Sequence, residues 1–364
     1  MTLSGDLRER VAGLLAMQAG SCGALGSPLY EHLLRRAADD VRAGGPVGAV
    51  FDAGTGKGVQ DAQALRLMAA VHRLVLAGGA PALARHYPSA GGTADPEPAW
   101  AAFRATVAEQ AGAVRGLMRL PCQTNEVGRT AALLGGFLDV ADRWGLPLRL
   151  LEVGSSAGLQ LRWDRFHFRT GDASWGDPGS PVQILDHWTV PPAHLDADVH
   201  VAERRGCDPR PVDPTTPDGR ATLRASVWAD QVERLERLDG ACLLAGRVPA
   251  IVDAEGAGTW AARRLATPAE GVATVVFHSV VLQYVAAAER STFLAVLADA
   301  GRRATDRAPL AWLRLEPERL DELDRGTPFC VRLATWPGGA DRRVASSGAH
   351  GASVRWLAVG SEAT

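Results

Sequence analysis

The sequence predicts an α/β protein in which a helical N-terminal region precedes a mainly parallel sheet. Three observations carry that expectation. Residues 1–145 place apolar side chains at helical spacing, with almost no β-branched run of strand length. From Gly145 onward, short continuous apolar runs alternate with helical segments, as buried parallel strands do. The first of those runs ends in a glycine loop, where open α/β sheets hold their ligands.

In the helical region, Leu7, Val11, Leu14 and Leu15 mark one face of a first helix over residues 3–20, which glycines before Ser27 break. Ser27 and Pro28 open a second helix as N-cap and first-turn proline, with Leu29, Leu33, Leu34 and Ala37 as its buried stripe. Further helices are predicted over residues 59–77 and 99–120, and from Thr124 as N-cap. Residues 47–51 form the one strand-like stretch of this half. In the second half, strands are predicted at residues 148–153, 199–201, 249–252, 273–277, 310–315, 330–333 and 354–357. Helices are predicted at 228–238, 259–265 and 290–300. Residues 170–192, rich in Gly, Pro and Asp, read as an insertion. The last two strand-like runs are joined by a glycine-rich stretch and are expected to form an antiparallel pair. The expected domains are residues 1–145, a helical lid or substrate domain, and residues 146–364.

Composition works mainly by exclusion. An apolar share of 46% and a net charge of −2 describe an ordinary globular chain without the basic field that nucleic acid requires. Lys57 is the single lysine, so the arginine content reads as coding bias, not a patch. Five cysteines, far apart and never in a CxxC pair, predict reduced thiols and no zinc site. No signal-type apolar core and no apolar stretch of ~18 residues occurs, so no membrane association and a cytoplasmic location are expected. His194 and His200 stand apart from carboxylates and thiols in the chain, and no metal is expected. The stretch from Phe51 to Gly58 lacks the first glycine and the terminal Ser or Thr of a phosphate loop, and reads as a turn.

The segment Glu152-Val153-Gly154-Ser155-Ser156-Ala157-Gly158 carries the most chemistry. A strand, an acid and then E-x-G-x-x-x-G resemble the first motif of class I methyltransferases, whose fold is a Rossmann-like, doubly wound sheet. A nicotinamide loop would prefer G-x-G-x-x-G, and this one has glycines only at 154 and 158. The resemblance implies S-adenosylmethionine as cofactor, held by Glu152, Gly154, Ser155, Ser156 and Gly158. It also implies an acid for the ribose at the exit of the second strand, Asp208 ahead of Glu203, and Asp253-Ala254 beside the adenine. The separation of Gly154 from Asp208 exceeds the family's usual spacing. Gly154 to Gly158 also satisfies G-x-S-x-G, the nucleophile elbow of α/β-hydrolases, with Ser156 as nucleophile and His278 or His350 as base. The helices that precede the loop count against that alternative, as does Glu152, which it would set in the middle of a buried strand where a carboxylate is costly unless partnered.

Over nearly its full length the chain resembles a bacterial family catalogued as domain of unknown function 2332. The residues that carry the resemblance are Ser27-Pro28-Leu29-Tyr30, Gln123 to Arg129, the glycine loop, Phe277-His278-Ser279, Trp336-Pro337-Gly338-Gly339 and His350-Gly351. The family implies a methyltransferase-like fold and brings no established substrate. Asn125, Glu126 and Arg129 are candidate substrate contacts beyond what helix capping needs, and Glu316 and His350 are candidate cleft residues. His278 is the candidate general base, because histidine side chains titrate near neutrality. The expected activity is methyl transfer to a small-molecule acceptor. A non-catalytic nucleotide- or metabolite-binding module is the other possibility.

Overall fold

The computed structural model describes residues 3–51, 62–318 and 328–357. From Asp52 onward, the phosphate-loop-like stretch lies outside the described residues. Packing divides the chain into two compact units, Met1–Thr124 with Thr216–Glu236, and Asn125–Thr215 with Arg237–Thr364.

The first unit is helical: α1 (Gly5–Ala24), α2 (Pro28–Arg42), α3 (Gln63–Leu76), α4 (Pro81–Ala84), α5 (Pro96–Glu109), α6 (Ala111–Leu117) and, later in the chain, α8 (Pro217–Ser226). Ser27 caps α2 as expected, its Oγ accepting from the Tyr30 amide at 3.3 Å. The strand-like residues 47–51 belong instead to a 3-10 turn, Pro46–Val50, and the long helix over 99–120 is two helices broken at Gln110. Asp230 explains why a segment so distant in sequence joins this unit. Its two carboxylate oxygens accept from Ser27 Oγ at 2.6 Å and from the Leu29 amide at 3.1 Å. Trp228 lies 6.2 Å from Tyr30 in the same core.

The second unit opens with α7 (Thr130–Trp144) and β1 (Leu148–Val153). Then follow β2 (His167–Thr170), β3 (Ala173–Trp175), β4 (Gln183–Leu185), β5 (Trp188–Val190) and β6 (Val201–Asp208). After α9 (Val232–Ala245), within which the division at residue 236 falls, come β7 (Ile251–Ala254), α10 (Ala257–Arg264), β8 (Ala273–Ser279) and α11 (Ala287–Arg303). The chain ends with β9 (Leu310–Pro317), β10 (Phe329–Trp336), β11 (Asp341–Ser347) and β12 (Val354–Trp356). The nine-stranded sheet has the order β5-β12-β11-β10-β9-β8-β1-β6-β7, with β7, β6, β1, β8 and β9 all parallel. This is a mixed α/β unit with a large, mostly parallel sheet.

The mainly apolar character of the central strands has its reason in burial on both faces. Every residue of β8 is buried. On one face, Phe137 of α7 stacks on Trp163 at 4.4 Å and meets Phe277 edge-on at 5.1 Å. On the other, Leu151 and Val153 share a core with Trp260 of α10 and Phe293 of α11. Because α7 packs this way, the second unit begins at Asn125 and not at residue 146. The final two predicted strands do not pair with each other. β11, hidden in the glycine-rich stretch, pairs antiparallel with β10 on one side and β12 on the other. The insertion after β1 forms a small sheet of order β3-β2-β4 and contributes β5 to the edge of the large one. Among the described residues no helix is long and apolar enough to cross a membrane. The five cysteines carry free thiols.

Candidate functional site

The glycine loop leaves the carboxyl end of β1 with three residues in the left-handed region: Gly154 (φ +69°), Ser156 (φ +54°) and Gly158 (φ +65°). A Cβ at Gly154 would lie 2.7 Å from Val281 Cγ1, so the loop and the turn after β8 pack backbone against side chain. The buried hydroxyl of Ser155 donates to the Glu152 carbonyl at 2.9 Å, inside the loop. It fits only because position 206 on β6 is glycine, where a Cβ would stand 1.9 Å from Ser155 Oγ. Asp208, the last residue of β6, accepts from the Ser156 amide at 3.0 Å and the Arg210 amide at 2.8 Å. It therefore stands beside the loop despite its distance in sequence. The small sheet and β5 account for the extra residues. Glu203 lies near the opposite, amino end of β6 and pairs with Arg149 at 2.8 Å, which removes it from this site.

Glu152 is the unusual group. It is 2% exposed, and its Oε2 has no hydrogen-bond partner. Burial pushes its carboxyl well above the usual range, a trend that Arg162 opposes and Asp208 reinforces. Arg162 is itself buried, donates to the Gly158 carbonyl at 2.7 Å and to the Val248 carbonyl at 2.7 Å, and has its own pKa lowered to about 10, chiefly by burial. The Ser156 hydroxyl is also buried without a partner. The tip of β1 thus carries two unsatisfied polar groups, which a folded protein seldom tolerates without a use.

Residues 125–129 wrap around the same end of the sheet. Asn125 Oδ1 accepts from the Leu159 amide at 3.0 Å, and Gln160 Nε2 donates to the Glu126 carbonyl at 3.1 Å and to Ser279 Oγ at 3.0 Å. Arg129 Nε donates to the Ala349 carbonyl at 2.9 Å and its Nη1 to the Ser279 carbonyl at 3.1 Å. Glu126, not Thr124, caps the turn that precedes α7, its Oε1 accepting from the Gly128 amide at 3.0 Å. Gly128 is packed so closely that a Cβ there would lie 2.8 Å from the His350 carbonyl. The fold therefore brings together residues 125–129, 152–158, 277–279 and 350–351, at the carboxyl ends of β1 and β8.

Two sequence expectations change here. His278 is fully buried and faces the core beside Phe293 and Trp312. Trp312 Nε1 donates to His278 Nε2 at 3.1 Å, and an indole N–H can only donate, so the ring proton sits on Nδ1 and is given to Glu316 Oε1 at 2.7 Å. Both ring nitrogens are spent, and the expected role as general base has no free atom to act through. Glu316 Oε1 also accepts from the amides of Val281 and Leu282, at 2.9 and 3.2 Å. It holds the turn that covers Gly154. Asp253 is likewise occupied: Arg205 grips it at 2.8 and 2.9 Å and Trp260 Nε1 donates to it at 2.7 Å, bonds that hold its carboxyl below the usual range. Neighbouring Ala254 is exposed at the end of β7. His194, isolated in the chain, stands in space between Asp139 (3.6 Å) and Asp142 (3.4 Å) of α7. The sequence reading passed over Gln160, Arg162 and Gly206. The first two follow the loop within one helical turn, and Gly206 is marked only by being a glycine inside a strand.

The family model described as "Uncharacterized protein conserved in bacteria (DUF2332)" matches residues 12–356. The chain belongs to this family. No curated protein and no solved structure matches it.

Proposed function

We propose that the second unit is a Rossmann-like, S-adenosylmethionine-dependent methyltransferase acting on a small-molecule acceptor. The observation that carries this reading is the unpartnered Glu152 carboxyl at the tip of β1, inside the glycine loop. In chain order the parallel strands lie third-second-first-fourth-fifth, so the order of strand addition reverses between β1 and β8, and ligands of doubly wound sheets bind at that switch point. The residues present fit the cofactor. Glu152 offers a buried acceptor to a cationic amino-acid end, Asp208 stands at the exit of β6 where ribose hydroxyls would lie, and Ser156 Oγ is a further unsatisfied group. Bound there, S-adenosylmethionine would supply an already activated methyl group. The chain's own part is to orient and to exclude water, which the clasp of Asn125, Glu126, Arg129 and Gln160 is placed to do. With His278 committed to the core, the reading requires an acceptor that needs no strong base.

Calorimetry with S-adenosylmethionine and S-adenosylhomocysteine tests it. Binding is expected to be lost in Glu152→Gln and weakened in Asp208→Asn; no binding of either ligand at about millimolar concentration, which corresponds to roughly −4 kcal/mol, refutes the assignment. One observation favours a hydrolase instead, the left-handed conformation of Ser156 within G-x-S-x-G. Its Oγ has no hydrogen-bond partner, however, and among the described residues no strand of the large sheet precedes β1. Covalent labelling of Ser156 by a fluorophosphonate would reverse the order of the two readings.

A further inference from the structure

At the amino ends of β1 and β6 the second unit carries an open cleft of about 450 Å³, within the size range of small-ligand sites. It lies across the full length of β1 from the glycine loop, roughly 16 Å at about 3.3 Å per residue. Arg149, Arg263 and Arg264 line it against a single carboxylate, Glu203, with Thr267 and Pro268 on the rim. Each arginine is held by one edge and leaves donors unused. Arg149 gives Nε to Glu203 at 2.8 Å and Nη2 to the Arg264 carbonyl at 3.2 Å. Arg264 gives only Nη2, to Asp253 at 3.3 Å, and its buried Nε has no acceptor. Arg263 gives Nη2 to Glu255. A guanidinium anchored on one side and open on the other suits a planar or tetrahedral oxyanion. Neutralising the carboxyl end of α10 accounts for the positions of Arg263 and Arg264, but not for Arg149, which lines the same cleft from β1.

The geometry points to a second ligand site in this cleft, for a small metabolite bearing a phosphate or carboxylate group, with the Nη1 sides of Arg149, Arg263 and Arg264 as its donors. The site shares no residue with the proposed cofactor loop, and the two stand or fall separately.

The test uses the full chain, with thermal unfolding and calorimetry in inorganic phosphate or citrate against sodium chloride at matched ionic strength. At least one of the two oxyanions is expected to raise Tm and bind with about millimolar affinity or better; phosphate alone assigns a phosphoryl ligand, and citrate alone a carboxylate ligand. Arg264→Lys keeps the charge beside Asp253 and removes Nη1, and Arg263→Gln is a half-exposed change that spares the core. Each should weaken binding about ten-fold, whereas Glu203→Gln should strengthen it by releasing Arg149. The inference is overturned if neither anion does more than chloride, or if Arg263→Gln and Arg264→Lys both bind like the parent. Should Arg264→Lys fail to fold, Arg263→Gln decides alone.

Discussion

Replacing Glu152 with glutamine probes the β1 tip without any ligand. In the native fold, burial raises this carboxyl far above its ordinary value of 4.5. A folded pKa above the unfolded one means that the native state prefers the protonated form. Stability from this group is therefore complete below about pH 4.5 and is lost as pH climbs through the folded value. Glutamine keeps the shape and escapes that loss. The gain at pH 8 should equal the penalty of one buried unsatisfied group, about 1–3 kcal/mol. At ~2–4 °C per kcal/mol for a unit of this size, Tm should rise by about 2–12 °C. At pH 4 parent and variant should melt together. Thermal unfolding of the ligand-free chain between these limits is the assay. A variant less stable than the parent at pH 8, or a difference that ignores pH, would show that Glu152 is satisfied in the native protein. A group that strains the empty fold and relaxes on binding is what a ligand site requires, because sites trade stability for function.

Two further substitutions test the supports of the site. Glu316→Ala strips the acceptor from His278 Nδ1 and from the amides of Val281 and Leu282, and should lower stability by about 3 kcal/mol or more in urea unfolding; a loss under about 1 kcal/mol would mean that the turn over Gly154 is held by other contacts. Gly206→Ala drives a methyl group into Ser155 Oγ and should cost about 1–3 kcal/mol, part of it recovered in the double variant with Ser155→Ala, which removes the closest contact but keeps the Cβ 2.8 Å away. Additive effects would deny that these two residues share one space.

Local sequence signals located most of the elements. Periodicity located α2, α7 and α11, and a capping hydroxyl marked the start of α2, because an apolar stripe and a cap act within a few residues. The buried strands β1, β8 and β9 were visible as apolar runs. β11 was not, since Asp341, Arg342 and Arg343 begin it on an exposed face and hide its pairing. The break at Gln110 escaped notice for a similar reason: helical spacing continues across it.

For the site, the chain alone revealed the glycine loop, its acid and the cluster at residues 125–129, since those residue types at those spacings are informative wherever they sit. What became of each side chain was a matter of tertiary structure. Sequence cannot distinguish a histidine facing a cleft from one held between Trp312 and Glu316, nor an aspartate awaiting adenine from one gripped by Arg205. Those partners come from strands and helices far along the chain, and hydrogen bonds are spent between neighbours in space, whatever their distance in sequence. The same holds for Glu152: its charge is legible in the chain, but its lack of a partner exists only once β1, β6 and the loop have closed around it.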